Sequence, residues 1–159
     1  MTASDVIFVV VFVFSIALAL FVLNFTMGTA VDQIINNTGV NSSVASTAAF
    51  EGIKTTTARF DWLVIGVYIG LLIAMIATSW FIAGNPMFML IYFIVTVLGV
   101  LVSALLANTW ETLTQSSVFG TTVANFPMTN HLISLFPFYV AIMGFVGFVI
   151  MFAKPQGNI

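Results

Sequence analysis

Residues 6–27 read VIFVVVFVFSIALALFVLNFTM, a run with no Asp, Glu, Lys, Arg or His. At about 1.5 Å per helical residue it covers a hydrocarbon core of about 30 Å. Residues 62–83, 87–107 and 132–153 form three further runs of similar length, equally free of ionisable side chains. None shows the two-residue alternation of a membrane strand, so helices are the form in which each can satisfy its own backbone polar groups inside lipid. The expected fold is an all-α integral membrane protein with four transmembrane helices, organised as one membrane domain over residues 1–159.

Composition agrees with the runs. Only Lys54, Arg59 and Lys154 are basic and only Asp5, Asp32, Glu51, Asp61 and Glu111 are acidic, while 61% of the residues are hydrophobic. A soluble domain carries roughly a quarter of its residues charged, so lipid must be the solvent for most of this chain. The first run is too long for a signal-peptide core and follows an acid rather than a basic stretch, so it is expected to remain attached. Cysteine is absent, which removes disulfides and thiolate metal sites from consideration. A net charge of −2 without a basic cluster argues against nucleic-acid binding.

Ala83-Gly84-Asn85-Pro86 joins the second run to the third, with Gly suited to closing one helix, Asn to capping the next and Pro to its first turn. A tight antiparallel hairpin is predicted there. Folding back about this turn brings Gly66 level with Ser103 and Gly70 level with Gly99. The rows Gly66, Gly70, Ala74 and Gly99, Ser103, Ala107 would then face each other as small-xxx-small packing surfaces. Gly144 and Gly147 give the fourth run a small patch for close packing, and Pro137 kinks that helix or marks its first turn.

Two polar connections, residues 28–61 and 108–131, share one side of the membrane. Val31, Ile34 and Ile35 keep helical spacing, so the first helix is expected to run past the bilayer until Asn37-Thr38-Gly39 stops it. Asn41 or Ser42 could cap a short interfacial helix carrying Val44, Ala48 and Ile53, ahead of Asp61 as the cap of the second span. Val31, Ile34, Ile35, Val44, Phe50 and Ile53 together give this connection apolar surface for docking a partner. In the other connection Trp110 beside Glu111 suits the membrane boundary, ring at headgroup depth and carboxylate in water. Lys54 and Arg59 on this side against Lys154 on the other lean toward a cytoplasmic placement of the long connections.

The ionisable groups do not form a reactive set in sequence. His131 has no second His, no Cys and no acid beside it to build a metal site. Asp61 and Glu111 bracket the hairpin at one membrane face, yet each has a structural use: Asp61 as a helix cap with Arg59 near to neutralise it, Glu111 at the water boundary. Asn24 and Thr26 can donate between helices. No phosphate loop, nucleophile elbow, haem-attachment or zinc motif is present, so no catalytic residue, cofactor or metal is expected.

Trp80-Phe81-Ile82-Ala83-Gly84-Asn85-Pro86-Met87-Phe88 and the later Ser103-Ala104-Leu105-Leu106-Ala107-Asn108-Thr109-Trp110-Glu111 resemble small integral membrane proteins of icosahedral, double-jelly-roll bacterial viruses that carry a membrane beneath the capsid. The resemblance covers about a third of the chain. It implies a virion structural protein, in the internal membrane of the particle or the inner membrane of its host, present in multiple copies and touching capsid or vertex proteins. Such a family brings no catalytic residues. The expectation is therefore a non-enzymatic scaffold whose partners are the lipid bilayer and other membrane or capsid proteins. The competing readings are an accessory subunit of a cellular membrane complex and a holin-like pore former, the latter disfavoured by the lack of polar or charged rings in the spans.

Overall fold

A computed structural model describes residues 4–36, 44–82 and 86–153, and among them every regular element is helical. In chain order these are α1 (Ser4–Ile35), α2 (Val44–Ala58), α3 (Phe60–Ile82), α4 (Pro86–Thr114), a 3-10 turn (Ser117–Phe119), α5 (Gly120–Ala124), α6 (Pro127–Ser134) and α7 (Phe136–Ala153). Four helical runs are long and apolar enough to cross a membrane, supplied by α1, the α2–α3 run, α4 and α7. Their outward faces carry large apolar side chains such as Phe8, Ile73, Leu101, Leu105 and Phe145, a surface suited to lipid rather than water. The chain is an all-α integral membrane protein.

The bundle is not arranged as the glycine rows suggested. The extensive helix contacts are α4 with α7, α1 with α4, α3 with α7 and α1 with α3, so α3 and α4 take opposite corners although only three residues join them. Those three residues, 83–85, lie outside the described ones, as do 37–43 with their expected stop and cap.

Each span turns one helical stripe inward. On α3 it is Asp61, Val64, Tyr68, Met75 and Ser79, which leaves Gly66, Gly70 and Ala74 on an exposed face. A Cβ added to Gly66 or Gly70 would meet nothing within 4 Å. The expected Gly66/Gly70 to Gly99/Ser103 interface is therefore corrected: the α4 row does face inward, but toward other helices. Gly99 lies under Val6 of α1 and Val140 of α7, where an added Cβ would sit 3.1 and 3.7 Å from their methyls. Ser103 is fully buried and returns its hydroxyl to the Val100 carbonyl at 2.8 Å.

The glycines with least room for a side chain lie between α4 and α7. A Cβ on Gly144 would lie 1.9 Å from Thr96 Cγ2, and one on Gly147 would lie 2.2 Å from the Tyr92 hydroxyl. These glycines let two backbones come close enough for dispersion contacts, the main attraction left when lipid replaces water around a helix.

The fourth sequence run, 132–153, is split at Leu135. Residues up to Ser134 belong to α6, and α7 begins at Phe136 with Pro137 in its first turn, where its missing N–H costs nothing. With 18 residues α7 still reaches about 27 Å. At the opposite extreme, α1 is 32 residues long, about 48 Å, and so projects beyond a core of about 30 Å. Against that projecting end α2 folds back, and α2 continues into α3 through a turn at Arg59.

Candidate functional site: the polar end of the bundle

One end of the bundle gathers the C-terminal part of α1, α2, the start of α3, the end of α4 and the short helices α5 and α6. Phe21 of α1 is the hub, with ring centroids 5.0 Å from Trp110, 5.5 Å from Phe119 and 5.6 Å from Phe126. These tilted and edge-on contacts suit the ring quadrupoles. Trp110 is only 1% exposed, and its indole Nε1–H donates to Asn130 Oδ1 at 2.9 Å. The expectation of Trp110 as a headgroup-depth ring is thus corrected: α4 continues through it to Thr114, and α6 closes over it.

Asp61 is corrected as well. It lies inside α3 rather than before it, is buried at 4% exposure, and serves a different helix. Its Oδ2 accepts the Met128 N–H at 3.0 Å and its Oδ1 accepts the Thr129 N–H at 2.7 Å. Pro127 starts α6, so these are the orphan donors of that helix's first turn, where partial positive charge favours a carboxylate. Nearly seventy residues of sequence separate cap from helix. Glu111 does not join Asp61; it is exposed and accepts from Gln115 Nε2 at 3.1 Å. Arg59 and His131 are exposed.

Beside this cap lies a polar cleft of about 470 Å³ between α1, α2 and α5, lined mostly by Asn24, Thr29, Asp32, Lys54, Thr57, Thr122 and Asn125. Lys54 and Asp32 form an ion pair, the one salt bridge among the described residues, with their side chains 41% and 60% exposed. Asn24 and Thr122 are each buried at 4% exposure, and neither side chain has a hydrogen-bond partner among the described residues. Asn24 lines the cleft instead of joining helices, and Thr26 bonds its own helix through the Leu23 carbonyl at 3.0 Å.

The residues proposed for docking divide. Val31 is buried at 4% exposure, continuing the inward stripe of Ala17, Phe21 and Asn24, and is withdrawn as a docking residue. Ile35, Phe50 and Ile53 are half-buried where α2 returns along α1, while Ile34 and Val44 are exposed. Folding α2 onto α1 has covered part of the apolar surface that the sequence offered to a partner. Neither Asp61 as a cap in trans nor the cleft was foreseen. Both depend on segments far apart in the chain, and only Asn24 at the end of an apolar run hinted at polar work there.

Gly99, Ser103, Gly144 and Gly147 meet at helix interfaces, whereas Gly66, Gly70 and Ala74 do not. Among the described residues no three His, Cys, Asp or Glu side chains gather in a group able to hold a metal ion. Comparison with protein families, with curated proteins and with solved structures finds no match to this chain.

Proposed function

We propose that this protein is a non-enzymatic structural component of a lipid-containing assembly, with the internal membrane of a virus particle as its setting. The observation that carries the reading is the construction of the polar end. Its buried acid, Asp61, is committed to capping α6, and its indole and aromatic rings lock that helix over the bundle. This builds a firm platform at the membrane surface from which Ile34 and Val44 present apolar side chains. A platform of this kind suits a protein that holds a bilayer to a neighbouring protein layer.

Purification of the native assembly in mild detergent, followed by mass spectrometry, tests the proposal. Capsid or vertex proteins recovered in fixed ratio support it. Recovery of enzyme subunits in fixed ratio would instead make the chain an accessory subunit of a cellular complex, and release of a trapped dye from vesicles containing the pure protein would make it a pore former.

A further inference from the structure

The polar cleft sits where the apolar run of α1 ends. Asn24 belongs to the last turn of the apolar run of α1, and Asp32 lies two turns further, about 12 Å along the axis. That interval covers the layer of lipid headgroups, which is about 5–8 Å thick on each side of the hydrocarbon. The cleft holds about 470 Å³, within the range of small-molecule sites.

Its chemistry selects among headgroups. A lysine ammonium has three donors and a carboxylate about four acceptor positions, so the Lys54–Asp32 pair retains donors on one side and acceptors on the other. A bare anion would meet Asp32 and a bare cation would meet Lys54. A zwitterion with a phosphate and an N–H-bearing ammonium satisfies both, completing an alternating ring of charges, and it can also supply partners for the unpaired Asn24 amide and Thr122 hydroxyl. A quaternary ammonium has no N–H to donate and is recognised by cages of aromatic rings, whereas among the described residues Phe25 is the one aromatic lining the cleft.

We propose that the cleft between α1, α2 and α5 binds the phosphoethanolamine head of a membrane phospholipid, phosphate toward Lys54 and primary ammonium toward Asp32. Its position at the membrane edge makes the lipid, rather than free phosphoethanolamine in water, the source.

The test is native mass spectrometry of the lipid-stripped protein, in detergent, after addition of equal amounts of phosphatidylethanolamine, phosphatidylcholine and phosphatidylglycerol. Retention of phosphatidylethanolamine at least fivefold above the other two is expected. Asp32→Asn should reduce it to the phosphatidylcholine level. Gly28 provides a control free of charge effects, because it lines the cleft and a Cβ added there meets nothing within 4 Å. Gly28→Leu should therefore fill the cleft and abolish the preference while thermal unfolding stays unchanged. Equal retention of the three lipids by the unaltered protein would overturn the proposal, as would a preference that survives both substitutions. Displacement of bound phosphatidylethanolamine by equimolar soluble phosphoethanolamine would overturn the lipid assignment.

Discussion

Gly70 and Gly144 stand in similar sequence surroundings, each a glycine within an uncharged apolar run, and each four or three residues from another glycine. Gly70 faces outward with open space where a side chain would go, and Gly144 lies so close to Thr96 that a single added carbon would sit 1.9 Å from a methyl. In water the first pattern would be settled by hydrophobicity, because a helix turns its apolar side to the core. Inside lipid both sides are apolar, so a row of small residues states only that close approach is permitted. Which neighbour uses the permission depends on the fit of whole surfaces.

The largest effect that sharpens this contrast is expected at Gly144. Gly144→Leu should destabilise the bundle by about 3 kcal/mol or more, since Thr96 sits at a helix interface and cannot retreat without parting α4 from α7. Reversible unfolding in mixed detergent measures it. A loss below about 0.5 kcal/mol would show that the two helices are not in this register.

Asp61→Ala comes next, with an expected loss of about 2–3 kcal/mol, because two buried N–H groups of α6 lose their acceptor together. Asp61→Asn should fall between, retaining one amide oxygen for the two donors. Hydrogen exchange at Met128 and Thr129 should quicken in the Ala variant ahead of the bundle as a whole. Unchanged protection there would remove Asp61 as the cap.

A smaller effect of opposite sign is expected at Thr129 itself, whose hydroxyl is buried without a hydrogen-bond partner among the described residues. Thr129→Val keeps the shape and removes the unpaired group, so stability should hold or rise by up to about 1 kcal/mol. A clear fall in the same unfolding assay would reveal a bond to this hydroxyl.

The smallest effect belongs to Gly70. Gly70→Leu should change stability by no more than about 0.5 kcal/mol, as at other sites that touch no neighbour. The natural absence of cysteine gives a clean background for the companion measurement. Cysteines at positions 99 and 140 should crosslink, because a Cβ on Gly99 would come within 3.7 Å of Val140 Cγ1, while cysteines at 70 and 99 should not. The reverse result would restore the α3–α4 face-to-face hairpin.

Much of the helical layout was legible in the chain. The four runs, the extension of α1 to Ile35, the helix from Val44 to Ala58 and the role of Pro137 follow from hydrophobic length, spacing and proline chemistry, all local properties. The break at Leu135 was less visible, because Leu132 and Ile133 are as apolar as the helix that follows. They are apolar for another reason: they face the protein core beneath α6.

Hydrophobic length and the scarcity of charge along the chain suffice to mark four membrane-crossing runs free of ionisable side chains, since the cost of placing backbone and charge in hydrocarbon leaves few alternatives. Packing alone reveals that α3 and α4 sit at opposite corners, that Gly144 and not Gly70 is a contact, that Asp61 caps a helix nearly seventy residues away and that Asp32 and Lys54 meet across a polar cleft. One cause underlies all four. Hydrophobic transfer acts on each segment separately and is written along the chain, whereas dispersion fit and hydrogen-bond geometry exist only between segments already brought together.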